Sequence, residues 1–592
     1  MRIERHQVAG AVVSAAREDF TNRIGGQVRS MSRAGRITTY EWQLIADDFL
    51  DYLAALSVTS PDLDTPEAKA ALKDASEAAA GAVAYAAYHP HCSFQVFLEY
   101  PNFGMSYDPG DDAPEESVTP GEWIDALCLA VLRDKAKWHG EAFHFARDKF
   151  VEKAQGTPAG ELVTALNAVV LDSTGNDEEY PPSARAKLAA VDAALDRVRT
   201  RAQGAGAVGD RPESASAALP TLAALRTLRA LAAEDRTAFD AALADLLVEH
   251  SARQGPSASA RSLLPLVPIA LAALAYRTLG WSPAVRSDYL PHALITGFET
   301  PGPRVAGFGR DRRPDAVAAL AAGPLVVERP ACERAVHPQT EAMYEEDVQE
   351  LLTAGEGQPL KVWRLAWIMD DQVRLFKWRS ADPGELTDRR LAPLRRAARM
   401  GAALFRIALA EPGTEVEVTI DGRALRCPAE RGEEAGAHNW ERAVALALIT
   451  GEREDLAPLV LTGPAFARPD GAAFSAYREA LHAYLRGVDA EQAAQRALQQ
   501  VENAKDWGFA MPPAVLLSQL IEGDEESFNL ALADALEAHR AYYQVADRAD
   551  DADAAISLGI VGLACHARRR GWAIRVESAY LPPDLLQAAE PF

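Results

Sequence analysis

Apolar residues recur along most of the chain at the three- and four-residue spacing of a helix that buries one face. Around Trp440, the positions Val444, Leu446 or Ala447, and Leu448 form such a stripe, and the good helix formers Ala, Leu, Glu and Arg dominate the flanking sequence. A second pattern interrupts the first. In TEVEVTIDGRALRCP the apolar residues Val416, Val418 and Ile420 alternate with polar ones, the period of a half-buried strand. Asp421-Gly422 follows, a dipeptide favoured in two-residue hairpin turns. Phe94, Val96 and Leu98, followed by Tyr100-Pro101-Asn102, give the same signal earlier in the chain. The longest apolar stretch, Leu263 to Tyr276, contains Pro265 and Pro268 and falls short of the roughly 20 residues of a membrane span. It predicts a buried helix.

The chain also repeats itself. EDRTAFDAALADLLVEHSARQ, with Phe239, Asp245 and His250, resembles DEESFNLALADALEAHRAYYQ, with Phe528, Asp534 and His539, at an offset of 289. Trp281, Tyr289 and Pro291 match Trp572, Tyr580 and Pro582 at 291. Upstream, Trp123 pairs with Trp440 at 317, Ala165-Leu166 with Ala480-Leu481 at 315, Gly81-Ala82 with Gly401-Ala402 at 320, and Asp47-Asp48 with Asp370-Asp371 at 323. The offset falls by 26 between Ala165 and Phe239, so the first copy carries an insertion there. Residues 172–220, rich in Gly, Pro and Ser, read as that surface insertion. The division that follows is a first repeat over 1–297, a joint over 298–330 and a second repeat over 331–592. The predicted fold class is mainly α: two related α-helical domains, each with a small β-hairpin element.

Charge narrows the partners. The 592 residues hold 61 Lys+Arg against 85 Asp+Glu, a formal −24, while 48% hydrophobic and 25% charged residues are ordinary for a folded chain. Nucleic acid, whose phosphates reward clustered Lys and Arg, is not expected as a partner, and a basic protein is favoured if charge steers association. The five cysteines show no CxxC and lie at least 36 residues apart, which suggests reduced core thiols. The charged N-terminus lacks the apolar stretch of a signal peptide, so the expectation is a cytoplasmic protein with no membrane partner.

Signatures of chemistry are sparse. His139 and His144 stand five residues apart, which on a helix points them about 140° away from each other rather than at one ion. His89, His91 and Cys92 lack a second ligand cluster. Gly307-Phe308-Gly309 follows no strand and precedes no GK[ST], and reads as a flexible linker. No G-x-S-x-G elbow occurs. The acidic run Asp547, Asp550, Asp551 and Asp553 lacks the glycine and closing glutamate of a calcium loop. No catalytic residue, metal or cofactor is therefore expected. His250 and His539 are the repeated polar pair, and the simplest account is a helix-end histidine that bonds the last carbonyls and offsets the dipole. Trp123 with Trp440, Trp281 with Trp572, and Tyr289 with Tyr580 read as packing anchors.

Three segments carry a family resemblance: NWERAVALALITGERED at Trp440, SFNLALADALEAHRAYYQ with Phe528, His539 and Tyr542, and GLACHARRRGWAIRVESAYLP ending in Tyr580, Leu581 and Pro582. Together with MGAALFRIALAEPGTEVEVTIDG, they resemble the immunity protein 49 family of bacterial polymorphic toxin systems over roughly 390–586, and the first copy repeats the pattern more weakly. The resemblance implies an α-helical immunity protein, or antitoxin, that binds and neutralises a cognate toxin protein without catalysis. A basic toxin would suit the acidic chain. The proposed partner-binding residues are His539, Tyr542, Tyr543, Asp547, Asp550, Asp551 and Asp553, since aromatics beside acids suit an interface. A helical scaffold or regulatory adaptor stays open as an alternative, as does an enzyme using Asp47-Asp48 or Asp370-Asp371 with His250 or His539.

Overall fold

Local signals set where the helices begin. Thr119 and Glu122 cap one another at the start of helix Pro120–Leu132, with the Glu122 carboxylate accepting from the Thr119 N–H at 2.7 Å and Thr119 Oγ1 from the Glu122 N–H at 3.2 Å. The Asp235 and Asp524 carboxylates cap helices Arg236–Arg253 and Glu525–Tyr543, 289 residues apart, by accepting first-turn N–H groups that would otherwise lack partners. The computed structural model describes residues 1–35, 37–110, 115–174, 180–205, 215–255, 257–298, 302–330, 336–354, 360–381, 388–430, 432–463, 472–505 and 510–589.

Two units result, Met1–Thr300 and Pro301–Phe592, each mainly helical and each carrying, among the described residues, one antiparallel hairpin. In the first, helix Thr39–Thr59 lies against Pro66–Tyr88, which leads into the hairpin Phe94–Leu98 and Phe103–Tyr107 and then to Pro120–Leu132. In the second, Val362–Arg379 lies against Asp388–Leu409, followed by the hairpin Glu415–Ile420 and Arg423–Pro428 and by Ala437–Thr450. Asp421 and Gly422 both take positive φ, 48° and 76°, as the two-residue turn demands. The central helices are held alike: the Trp123 Nε1–H donates to the Phe143 carbonyl and the Trp440 Nε1–H to the Leu459 carbonyl, each at 2.9 Å, with both rings fully buried.

Close packing explains the repeated glycines. A Cβ on Gly401 would come within 2.7 Å of Ala443 Cβ, and one on Gly81 within 3.0 Å of Val96 Cγ1. Both glycines let a helix approach a neighbour more closely than alanine permits.

Three readings change. Residues 172–220 are not a polar surface segment throughout, because helix Ala184–Ala205 buries Val191, Ala194, Leu195 and Val198 and packs on helix Pro158–Val170. Its apolar stripe was hidden among Ala and Arg; residues 175–179 and 206–214 lie outside the described residues. Gly307-Phe308-Gly309, within the joint 298–330, is no flexible linker. Arg304 clamps Asp534 and Glu537 at 2.7–2.8 Å, and the Phe308 N–H donates to Ser518 Oγ at 3.1 Å. A Cβ on Gly307 would meet Leu498 Cδ1 at 2.3 Å, so the glycines serve close contact rather than mobility. The apolar stretch is longer than its central 14 residues: Ala260–Leu279 is long and apolar enough to cross a membrane by length and composition alone, yet most of its apolar span is buried inside the first unit. Its helix, Leu266–Leu279, places Ile269 to Ala273 in the core, preceded by a separate 3-10 turn, Ala260–Leu263.

Candidate functional site

In each unit an arginine, a histidine and a tyrosine from distant parts of the chain converge. His250 bonds the Ser262 carbonyl through Nε2 at 2.8 Å and meets Tyr289 edge-on, with ring centres 5.3 Å apart at 88°. The Arg5 guanidinium reaches Ser57 Oγ at 2.8 Å and the Asp288 carbonyl at 3.3 Å. In the second unit His539 hydrogen-bonds the Asp553 backbone and meets Tyr580 edge-on at 5.2 Å and 90°. Arg329 binds the Ser380 carbonyl at 2.9 Å and the Ala555 carbonyl at 2.8 Å, 5.9 Å from the Tyr580 ring. Ser57 and Ser380 differ by 323, Ser262 and Asp553 by 291, so these partners were duplicated with the rest.

The first strands belong to the same arrangement. Arg2 bridges Arg286 in parallel, with the Ile3 N–H donating to the Arg286 carbonyl at 3.0 Å. Leu325–Val326 pairs in parallel with Val576–Glu577, with the Val327 N–H donating to the Glu577 carbonyl at 2.9 Å. Ile3-Glu4-Arg5 therefore corresponds to Val327-Glu328-Arg329, a likeness of three residues at offset 324, too short to stand out in the sequence. It places the start of the second repeat's pattern inside the stretch read as a joint.

The repeated histidine is structural in a different way from the one expected. Each bonds a carbonyl of the turn that follows its helix rather than the helix's own last carbonyls. Burial, the larger influence, drives the His539 pKa down to about 4 against the opposing pull of the Asp553 charge. Neutral at pH 7, it has no charge with which to offset a dipole. Burial lowers His250 as well, and in the first unit His6 joins the cluster, with Nδ1 2.6 Å from Tyr289 Oη and Nε2 2.9 Å from Ser262 Oγ.

The residues proposed for partner binding surround this point, with unequal exposure. Tyr543 lies on His539 with ring centres 4.6 Å apart, and Tyr542 packs edge-on against Tyr543 with the Arg548 guanidinium 4.3 Å from its ring centre. Asp551 caps the 3-10 turn Ala552–Ala555 by accepting the Asp553 N–H at 2.9 Å. The Asp553 carboxylate pairs with Lys377 of helix Val362–Arg379. Asp547, Asp550 and Asp551 are exposed. The first unit inverts this pairing: the loop supplies the cation, Arg261, which pairs with Asp47 and gives its N–H to Asp51 at 2.7 Å on helix Thr39–Thr59. A helix–loop ion pair is thus kept while its polarity is exchanged.

The other chemical candidates resolve into packing contacts. Asp370 pairs with Arg442, and burial raises the pKa of Asp48 and lifts Asp371 to about 6. Asp47 is held by Arg261 and by the Gln43 amide at 3.1 Å and Asp370 by Arg442, while His250 and His539 meet backbone groups and aromatic rings. Among the described residues no three His, Cys, Asp or Glu side chains are grouped to hold a metal. His89 stacks on Tyr85 at 4.4 Å, and His91 lies 3.3 Å from Glu115. Cys128, Cys427 and Cys565 are buried free thiols, whereas Cys92 is exposed, unlike a core thiol; Cys332 lies outside the described residues.

Comparison with curated proteins and with solved structures returned no match. The immunity protein 49 family matches the chain in two segments, residues 60–294 and 384–585, one in each unit. Their starts differ by 324 and their ends by 291, the offsets at which the first strands and the terminal tyrosines correspond, so each unit contains the same family pattern. The chain belongs to the immunity protein 49 family.

Proposed function

We propose that the protein neutralises a cognate toxin by binding it stoichiometrically and covering its active site or substrate groove, without catalysis of its own. The observation that carries this reading is the match of an immunity protein family to both units. The engagement of the repeated acids and histidines in packing supports it, because those groups were the material from which an active site would be assembled. The second unit supplies the partner face: Tyr542, Asp547, Asp550 and Asp551 present it, backed by His539, Tyr543 and the Asp553–Lys377 pair. The equivalent loop of the first unit, residues 254–263, has no Asp or Glu, so a basic toxin engages the second unit there. Action in the cytoplasm of the toxin-producing cell, with neither nucleic acid nor membrane as partner, completes the reading.

The test is to express the product of the adjacent gene in a sensitive host with and without this protein, and then to purify the pair. Rescue with a stable complex supports neutralisation by binding. Rescue without a complex overturns it in favour of an enzyme that prevents or reverses the damage, and a harmless neighbour overturns the antitoxin reading altogether.

A further inference from the structure

Both units expose an aromatic side chain at the same place, near the start of the long helix that carries the paired aspartates. Tyr40 is 65% exposed in helix Thr39–Thr59, and Trp363 is 48% exposed in helix Val362–Arg379; their numbers differ by 323, as do those of Asp47 and Asp370. One turn further, Trp367 is 60% exposed, its ring centre 6.1 Å from that of Trp363. The core side of this helix is already filled by Leu365, Ile368, Met369, Val373 and Phe376, so the two tryptophans are not needed to complete it. Adjacent exposed aromatics of this size mark an interaction surface.

Carboxylates frame the aromatics in both units. Glu116 accepts the N–H of Thr39, the residue before Tyr40, at 3.2 Å, and Glu115 precedes it in the loop that leads to the Trp123 helix. The corresponding loop of the second unit places Glu433 and Glu434 in a 3-10 turn that packs on helix Val362–Arg379, ahead of the Trp440 helix. Glu350, from the preceding helix, reaches Arg364 at 2.8 Å. The arginines of this region are matched by acids: Arg364 by Glu350, Arg442 by Asp370, and Arg374 by Asp371 at 3.6 Å. Glu433 and Glu434 come in addition and outnumber the further cation at the helix start, exposed Lys361, which leaves the edge acidic by one charge.

We propose that this aromatic and acidic edge is a docking site for a Lys- or Arg-rich segment of a partner protein. A cation of the partner sits over the ring of Trp363 or Trp367, where the π face attracts it, and the neighbouring glutamates hold it there. A second copy of the chain is a poor occupant. Residues 1–300 hold 28 Lys+Arg against 40 Asp+Glu and residues 301–592 hold 33 against 45, so both units carry −12 and repel one another's acidic edges. On helix Val362–Arg379, positions 363, 367, 370, 374 and 377 share one face and span about 21 Å. The edge therefore runs toward the Asp553 loop that pairs with Lys377. The proposal rests on the toxin-binding reading and names the partner's chemistry.

The experiment measures the affinity of the full-length chain for a catalytically inactivated form of the adjacent gene's product, comparing wild type with W363S/W367S and with E433K/E434K. The double tryptophan variant is expected to weaken binding at least about tenfold, with its melting temperature unchanged because the rings lie outside the core. The charge variant is expected to slow association and flatten its salt dependence. Wild-type binding with both variants within twofold of it overturns the docking edge alone. Absence of a wild-type complex overturns the toxin-binding reading, and this proposal with it.

Discussion

Removing the Asp553 carboxylate should harm the protein more than removing the lysine it pairs with. The Lys377 side chain is 8% exposed, while that of Asp553 is 42% exposed. In Asp553→Ala the ammonium keeps its charge but loses its partner in a place that water barely reaches. An uncompensated buried charge costs about 3–5 kcal/mol, and the solvent access on the aspartate side brings the expected loss down to about 2 kcal/mol. In Lys377→Met the carboxylate left behind can hydrate, so the expected cost is about 0–1 kcal/mol. The double variant should resemble Lys377→Met, which makes the two changes non-additive by about 2 kcal/mol. Urea unfolding of the full-length chain at pH 7, carried through as a double-mutant cycle, measures this. Additivity within about 0.5 kcal/mol, or a larger loss for Lys377→Met than for Asp553→Ala, would refute the argument. The cycle also bears on function: if toxin affinity falls in Asp553→Ala and returns in the double variant, Asp553 acts by holding the loop in place rather than by touching the toxin.

Three further outcomes follow from the packing. The folded His539 pKa of about 4 lies below the unfolded value of about 6.5, so its contribution is full above pH 6.5 and is lost as pH falls from there through 4; between pH 7 and 5 this amounts to about 2 kcal/mol. His539→Gln should flatten that part of the pH dependence of urea stability, and an unchanged slope would show that the ring titrates normally. Asp371, raised by burial to about 6, acts in the opposite direction, gaining stability as pH falls, and cancels in the comparison. Trp123→Ala and Trp440→Ala should each destabilise their own unit by about 3–5 kcal/mol, read as the loss of one calorimetric transition at a time; a cost below about 1.5 kcal/mol would mean that the site collapses around the gap. Gly401→Ala should destabilise by about 1–3 kcal/mol despite its better helix propensity, because the new methyl meets Ala443 at 2.7 Å. Gly559→Ala, with nothing within 4 Å, should instead be neutral or stabilising by up to about 1 kcal/mol in thermal unfolding.

Much of the fold was legible because its signals are short-range. The alternation at Val416, Val418 and Ile420 and the positive φ demanded at Asp421-Gly422 specify a hairpin within a dozen residues, and the Trp440 stripe specifies a helix face within nine. The helix at Ala184–Ala205 is not legible in the sequence because alanines and long polar side chains weaken the contrast between its two faces. The candidate site was legible only in part. His539, Tyr543 and Asp553 stand in the sequence as polar or aromatic residues near a loop, and nothing local says that their side chains turn inward while Asp547, Asp550 and Asp551 stay in water.

The sequence by itself determined the duplication, the helical class and the hairpin in each copy, since repeated residues and their periodicities are properties of the chain alone. Tertiary structure alone decided what the repeated polar residues do. Arg5 and Tyr289 lie 284 positions apart, and Arg329 and Tyr580 lie 251 apart, yet each pair contributes to one cluster. Whether a histidine there is charged depends on burial by elements distant in sequence. The exchange of Asp47–Arg261 for Lys377–Asp553 makes the same point: the fold requires opposite charges across a helix and a loop, but either side can carry either sign. Coulomb attraction depends on the product of the charges and their separation, and only the folded chain sets that separation.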